Sequence, residues 1–110
     1  MDLKRTSSGE IEIVEIGGEI DSYTSPKARD FFAEILNEQK KKLLIDFTDV
    51  GYISSAGLAT LIEVFQKMHM YNGVLKLCCM NDTTKGIFEI AKLDSIFSIY
   101  KTREEAINAF

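Results

Sequence analysis

The sequence contains few of the residues that metal centres and disulfide frameworks require. Among its 110 residues are two cysteines and one histidine, and their spacing matches no zinc-binding motif. Cys78 and Cys79 are adjacent, and neighbours in a strand point to opposite faces, so we expect two buried, unbonded side chains. His69 lies in a polar stretch of a predicted helix and is expected at the surface. We therefore predict no metal site and no cofactor.

Long apolar runs and an excess of basic residues are also missing. No run approaches the roughly 20 residues of a membrane span, and no apolar signal region follows the first five residues. Thirteen basic and 17 acidic residues give a net charge of −4. Nucleic acids and anionic membranes both require a basic face, so neither is expected as a direct partner. We expect a cytoplasmic protein.

The order of predicted elements indicates an α/β fold. A chain of 110 residues with 45% hydrophobic and 27% charged residues is expected to form one globular domain, residues 1–110. Two strands are followed, from residue 24 onward, by alternating helices and strands. This alternation is typical of strand–helix–strand units on a largely parallel sheet. We predict a mostly parallel or mixed sheet of four to five strands with about four α-helices.

Hydrophobic periodicity, together with the residues that typically begin or end helices and strands, determines where we place each predicted element. We place strands at 2–6, 11–16, 43–47, 74–80 and 96–100, and helices at 24–37, 55–71, 83–93 and 102–110. Gly17 and Gly18 are expected to end the second strand, and Gly73 to supply a left-handed helix cap. The third helix should turn Ile87, Ile90 and Ala91 inward. The predicted core comprises Phe31, Leu44, Ile45, Leu61, Ile62, Leu75, Leu77 and Ile87.

Two hydroxyl groups, on Ser54 and Ser55, lie where a predicted buried strand passes to a predicted helix. The first backbone N–H groups of a helix are unpaired and carry partial positive charge. Such a position binds anions, including a phosphate attached to a side chain. A serine there also commonly serves only as an N-cap, which accepts a hydrogen bond from a backbone N–H.

The residues around these serines read DFTDVGYISSAGL, which resembles the signature of the STAS domain of bacterial anti-sigma factor antagonists. The matching positions are Phe47, Asp49, Val50, Tyr52, Ile53, Ser55, Gly57 and Leu58. A second STAS-like feature, the Gly-Glu-Ile-Asp turn that ends at Asp21, precedes it. In the family this turn lies beside a phosphorylatable serine, and Ser55 falls on that position. Ser54 departs from the pattern, because many members have Asp there.

The resemblance implies a phosphorylation-controlled protein-binding switch that is not an enzyme. The free form would bind an anti-sigma factor that is a serine kinase, and a sigma factor would be released. Phosphorylation of Ser55 would dissociate the complex, and a metal-dependent serine phosphatase would reset it. The residues implied in partner binding are Asp21, Tyr52, Ile53, Ser54, Ser55 and Gly57.

Two alternatives remain at the level of sequence. A response-regulator receiver domain phosphorylated on Asp46 or Asp49 has a similar size and alternation. It also needs an acidic pair after the first strand and a lysine after the last, whereas Asp21 is a single acid and Lys101 lacks the usual context. A STAS scaffold or ligand-binding module, in which Ser54 and Ser55 only cap the helix, is the other alternative.

Overall fold

A computed structural model describes residues 1–110. The strands are β1 (Asp2–Ser8), β2 (Ile11–Ile20), β3 (Lys42–Ile53), β4 (Val74–Cys78) and β5 (Ser98–Tyr100). The helices are α1 (Ser25–Asn37), α2 (Ser55–His69), α3 (Asp82–Ile90) and α4 (Arg103–Ala109). A short 3₁₀ turn, Leu93–Ser95, precedes β5. None of the four α-helices combines the length and the apolar character that spanning a bilayer requires.

The five strands form one mixed sheet in the order β1-β2-β3-β4-β5. β1 pairs antiparallel with β2, and every other neighbouring pair is parallel. A hairpin supplies the antiparallel pair, while each parallel pair is joined through a helix, as parallel connections require. The predicted α/β fold with a mixed sheet and four helices is therefore confirmed.

Local start signals place the helices where the sequence predicts them. Pro26 lies in the first turn of α1, where its missing N–H costs no hydrogen bond. The Thr102 hydroxyl accepts a 3.1 Å hydrogen bond from the Glu105 backbone N–H at the start of α4. Asn81 caps α3 in the same way, through a 2.7 Å bond from the Thr84 N–H.

The sheet carries a hydrophobic cluster on each face. The larger cluster packs α1, α2 and α3 against one face, and includes the fully buried Ile45, Leu61 and Leu77. The smaller cluster lies on the other face under α4 and includes Leu44 and Cys78. A sheet covered on both sides explains why β3 begins as a continuous apolar run.

Several residues predicted in the core are only partly buried, and in some places a neighbouring residue is buried instead. Phe31, Ile62 and Ile87 are only partly buried and pack at the edge of the larger cluster. Phe32 is fully buried in place of its neighbour. In α3 the buried stripe is Thr84 and Phe88, four residues apart, and the predicted inward positions Ile90 and Ala91 are exposed. The helix is therefore rotated from its predicted orientation so that the Phe88 ring meets Phe47, with ring centroids 6.2 Å apart.

The strands that lead to the serines are longer than predicted. β2 continues past Gly17 and Gly18 to Ile20, and β3 continues past Phe47 to Ile53. Their parallel pairing shifts register twice in this region, which is how irregular strands absorb an unpaired residue. β4 ends earlier than predicted, at Cys78, and β5 begins later, at Ser98, because the 3₁₀ turn occupies the preceding residues.

The turn after α2 uses a different residue from the one predicted. Asn72 adopts the left-handed conformation, with φ of 61°, which asparagine tolerates better than most side chains. Gly73 does not have positive φ. A Cβ on Gly73 would lie 2.9 Å from the Met68 Cε, so a larger residue there would require the Met68 side chain to shift.

Candidate functional site

The two serines have different roles at the junction of β3 and α2. Ser54 is the N-cap in an extended conformation, and its hydroxyl accepts a 3.4 Å hydrogen bond from the Gly57 N–H. Ser55 is the first helical residue and is exposed. No group in the structure forms a hydrogen bond with its hydroxyl. The cap is therefore provided by Ser54, and the Ser55 hydroxyl faces solvent at a helix N-terminus.

This division predicts different stabilities for two single substitutions. Ser54→Ala should lower the free energy of unfolding by about 0.5–2 kcal/mol, because a helix N–H loses its acceptor. The long bond favours the lower half of that range. Ser55→Ala should change it by less than about 0.5 kcal/mol, as is usual for an exposed position. Urea denaturation followed by circular dichroism measures both values, and an equal loss in the two variants would contradict the assignment.

The start of α2 packs directly on the end of β2. The Ser54 N–H donates a 2.8 Å hydrogen bond to the Ile20 carbonyl, and Ile20 pairs with Ile53 in the parallel register. A Cβ on Gly57 would lie 2.5 Å from that same carbonyl oxygen. Glycine is thus required at position 57 by this close approach, which brings the turn that begins at Asp21 next to the serines.

Asp21 organises its own turn, residues 21–24, called the Asp21 turn below. Its Oδ1 accepts hydrogen bonds from the backbone N–H groups of Tyr23 at 2.9 Å and Thr24 at 3.0 Å. The bond from the Thr24 backbone is the main cause that lowers the pKa of the Asp21 carboxyl. Asp21 therefore stays ionised at neutral pH and fixes the shape of the turn beside Ser55.

Two exposed aromatic side chains belong to the segments that meet at the serines, namely the Asp21 turn and the end of β3. Tyr23 is 93% exposed and Tyr52 is 44% exposed. Ile53, in contrast, is fully buried, and Gly57 is buried as well. Strand alternation turns the Ile53 side chain into the core, and the expectation that Ile53 and Gly57 contact a partner stays a prediction.

Asn81 connects the N-terminus of α3 to the end of β3, and the sequence did not predict this connection. The Asn81 amide donates hydrogen bonds to the carbonyls of Val50 at 3.1 Å and Gly51 at 3.4 Å. The sequence identifies Asn81 as a helix cap but gives no signal for this contact, since its acceptors are backbone atoms about 30 residues away. The bond holds the end of β3 in the position from which Tyr52 projects.

Asp46 lies on the opposite face of the sheet, and both of its carboxylate oxygens accept hydrogen bonds. Its two oxygens accept hydrogen bonds from Thr48 N at 2.8 Å, Thr48 Oγ1 at 2.6 Å, and Arg103 Nε and Nη2 at 2.9 and 2.7 Å. Burial by itself raises the pKa of Asp46, but the hydrogen bonds from Thr48 and Arg103 outweigh it and lower that pKa overall. A carboxylate that is 4% exposed and held by four hydrogen bonds is not an accessible phospho-acceptor, which counts against the receiver-domain alternative.

Comparison with known proteins agrees with this geometry. A STAS domain model matches residues 3–106. An anti-sigma-B factor antagonist of Listeria monocytogenes is 30% identical, covering 96% of this chain and 91% of the relative. An anti-sigma factor antagonist structure from Mycobacterium paratuberculosis superposes with a TM-score of 0.91 at 23% identity, covering 98% and 92% of the two chains. The Bacillus cell fate determinant SpoIIAA in its phosphorylated form gives 0.75 at 16% identity, covering 98% of each. The chain belongs to the STAS domain family.

Proposed function

We propose that this protein is a phosphorylation-controlled antagonist of an anti-sigma factor. With Ser55 unmodified, it binds a partner that is itself a serine kinase, and a sigma factor is released. The kinase transfers phosphate to Ser55 and the complex dissociates. A metal-dependent serine phosphatase removes the phosphate and restores the binding form.

One observation carries the proposal, namely that the Ser55 hydroxyl is exposed and unbonded at a helix N-terminus. A kinase needs a hydroxyl that can approach its nucleotide without first breaking the fold. Because Ser54 supplies the cap, modification of Ser55 leaves the helix start intact. The names of the relatives add support, since one is an anti-sigma-B factor antagonist and another was solved in a phosphorylated form.

The proposed partner surface consists of Tyr52, the Asp21 turn, Ser54 and Ser55. Its exposed tyrosines offer large, rigid contact area, which is typical of residues that dominate binding energy. Asp21 contributes through the shape of its turn, where Tyr23 projects into solvent. In this role the protein is a substrate for the kinase and contributes no catalytic group. We place its action in the cytoplasm.

The local charges allow phosphorylation without refolding. A phosphate adds about −1.5 to −2 charges at neutral pH. The N-terminus of α2 favours that charge by roughly 0.3–1 kcal/mol, whereas the ionised Asp21 nearby disfavours it. These opposing contributions nearly cancel within the domain. The difference between the two forms is therefore felt mainly by the partner that must cover the phosphate.

The site of modification is directly testable. Incubation with ATP and the serine kinase recovered by affinity from the source cells should yield one phosphoserine, at Ser55. Fragment mass spectrometry locates the phosphate. Ser55→Ala should abolish the modification, while Ser54→Ala, the matched control, should still be modified. Phosphate on Ser54, or on neither serine, would overturn the assignment.

A further inference from the structure

A second cluster of reactive side chains lies on the α4 side of the sheet, away from Ser55. A carboxylate oxygen of Asp46 and the Sγ atoms of Cys78 and Cys79 all lie within 4.8 Å of one another. Asp46 and Cys78 are direct partners in the parallel pairing of β3 and β4. Pairing between β3 and β4 thus brings one carboxylate oxygen, a hard donor, close to two thiol sulfurs, which are soft donors, although Asp46 is far from the cysteines in sequence.

The two thiols converge because the strand ends between them. Cys78 is the last residue of β4, and Cys79 has a φ of 65°, in the left-handed region. That conformation costs a residue other than glycine roughly 1–2 kcal/mol. The Cys79 N–H donates a 3.1 Å hydrogen bond to the Tyr100 carbonyl, which holds the turn. The expectation that adjacent cysteines point to opposite faces is therefore wrong here.

We propose that Asp46, Cys78 and Cys79 form a binding site for one thiophilic divalent cation of the zinc type. Thiolate sulfur and carboxylate oxygen are both ordinary zinc ligands. Three protein ligands leave one position of a four-coordinate ion for water. Binding replaces the two thiol protons, which are released to solvent. This proposal is independent of the role assigned to Ser55.

The surrounding charges balance such an ion. Two thiolates and one carboxylate supply three negative charges, against two positive charges on the ion and one on the Arg103 guanidinium, which Glu15 shares. Arg103 and Thr48 already hold the Asp46 carboxylate through four hydrogen bonds. Outer groups that fix a ligating carboxylate in this way are a regular part of metal sites. A bound ion would take the place of one of these four hydrogen bonds at Asp46, and the remaining bonds would still hold the carboxylate.

A cavity on the same face reaches Asp46, and neither cysteine lines it. Asp46 and Arg103 line a cavity of about 170 Å³ whose wall also includes the exposed Thr48 and Asp49. Cys79 is partly exposed, whereas Cys78 is buried in the smaller hydrophobic cluster. An ion arriving from solvent would meet Cys79 and Asp46 before Cys78. Coordination would then link β3 to the end of β4.

The test uses Co²⁺, which reports its ligands through its absorption spectrum. The 110-residue protein, reduced and freed of metal by a chelator, is titrated with cobalt chloride. We expect one equivalent to bind, with the visible bands of a tetrahedral ion and a thiolate-to-cobalt charge-transfer band in the near ultraviolet. Zn²⁺ should displace the cobalt and remove both. Cys79→Ser should weaken binding by roughly 100-fold or more, since losing even an outer-shell partner costs 10–100-fold.

Controls separate this site from other sources of binding. His69→Ala removes the only histidine and should leave the titration unchanged. Cys78→Ala, which keeps a small apolar side chain in the core, provides a second thiol variant if Cys79→Ser alters the circular dichroism spectrum. Absence of the charge-transfer band would overturn the proposal. The proposal would also be overturned if both cysteine variants bound Co²⁺ with unchanged affinity, or if His69→Ala lost Co²⁺ binding.

Discussion

Phosphorylation of Ser55 is expected to weaken binding to the anti-sigma factor kinase more than 100-fold. The proposed partner surface, Tyr52 with the Asp21 turn and the two serines, presents a neutral exposed hydroxyl together with exposed tyrosines. A partner fitted to that surface would have to desolvate an unpaired dianion after modification, which costs several kcal/mol. A loss of about 3 kcal/mol corresponds to more than a 100-fold change in Kd.

Calorimetric titration of the kinase with three forms of the protein measures this effect. The unmodified form should bind tightest, the phosphorylated form weakest, and Ser55→Asp between them, because a carboxylate carries less charge and fewer oxygens. Gln66→Glu is the matched control, since it adds one charge to an exposed position of α2 about three turns away. Equal affinities of the three forms would end the switch proposal. A grossly altered circular dichroism spectrum of the phosphorylated form would replace surface repulsion with a conformational mechanism.

Local sequence signals were sufficient to predict that Ser55 lies at the start of a helix and where most of the other helices begin. The cap at Thr102 and the junction of strand and helix at the serines both depend on residues within a few positions of each other. Interactions of this range leave a pattern in the sequence that can be read directly. The same reasoning predicted the mixed α/β sheet, because alternating elements permit few other arrangements.

What sequence reasoning missed depends on contacts across the sheet. Ending β3 at Phe47 hid the alternation that buries Val50 and Ile53. The strand persists to Ile53 because β2 continues beside it through two shifts of register. Those shifts depend on how two strands fit together and leave no pattern in either strand alone.

Electrostatic contacts were equally inaccessible to sequence reasoning. Arg103 lies 57 residues from Asp46 and 88 from Glu15, yet its guanidinium bonds to both carboxylates. The sequence placed Arg103 in the first turn of a helix but offered no partner for it. Only the position of α4 on the sheet shows that this residue neutralises a buried charge.

Arg103→Met is expected to lower the free energy of unfolding by about 3 kcal/mol. The Asp46 carboxylate is 4% exposed, and removing its cation leaves a buried charge unpaired, which typically costs 3–5 kcal/mol. The lower end applies because the Arg103 side chain is 36% exposed and water screens part of the pair. Urea denaturation at neutral pH, with chelator and reductant present so that no cation replaces the guanidinium, measures the loss. Arg29→Met, which breaks the exposed pair of Arg29 and Glu63, should cost less than about 1 kcal/mol.

The dependence on pH distinguishes lost ion pairing from lost packing. The folded-state pKa of Asp46 lies below its ordinary value, so the stability it contributes is present above the unfolded pKa of about 3.9 and is lost as pH falls through the folded value. Removing Arg103 raises the folded pKa of Asp46, so the deficit of Arg103→Met should be full at neutral pH and shrink as the pH falls from the raised folded pKa of the variant to the lower folded pKa of the unaltered protein. In an Asp46→Asn background the same substitution should cost much less, since no buried charge is left behind. If the loss of stability depended on neither pH nor residue 46, Arg103 would be acting through the packing of its aliphatic stem. The proposal that an ion pair links α4 to the sheet would then be wrong.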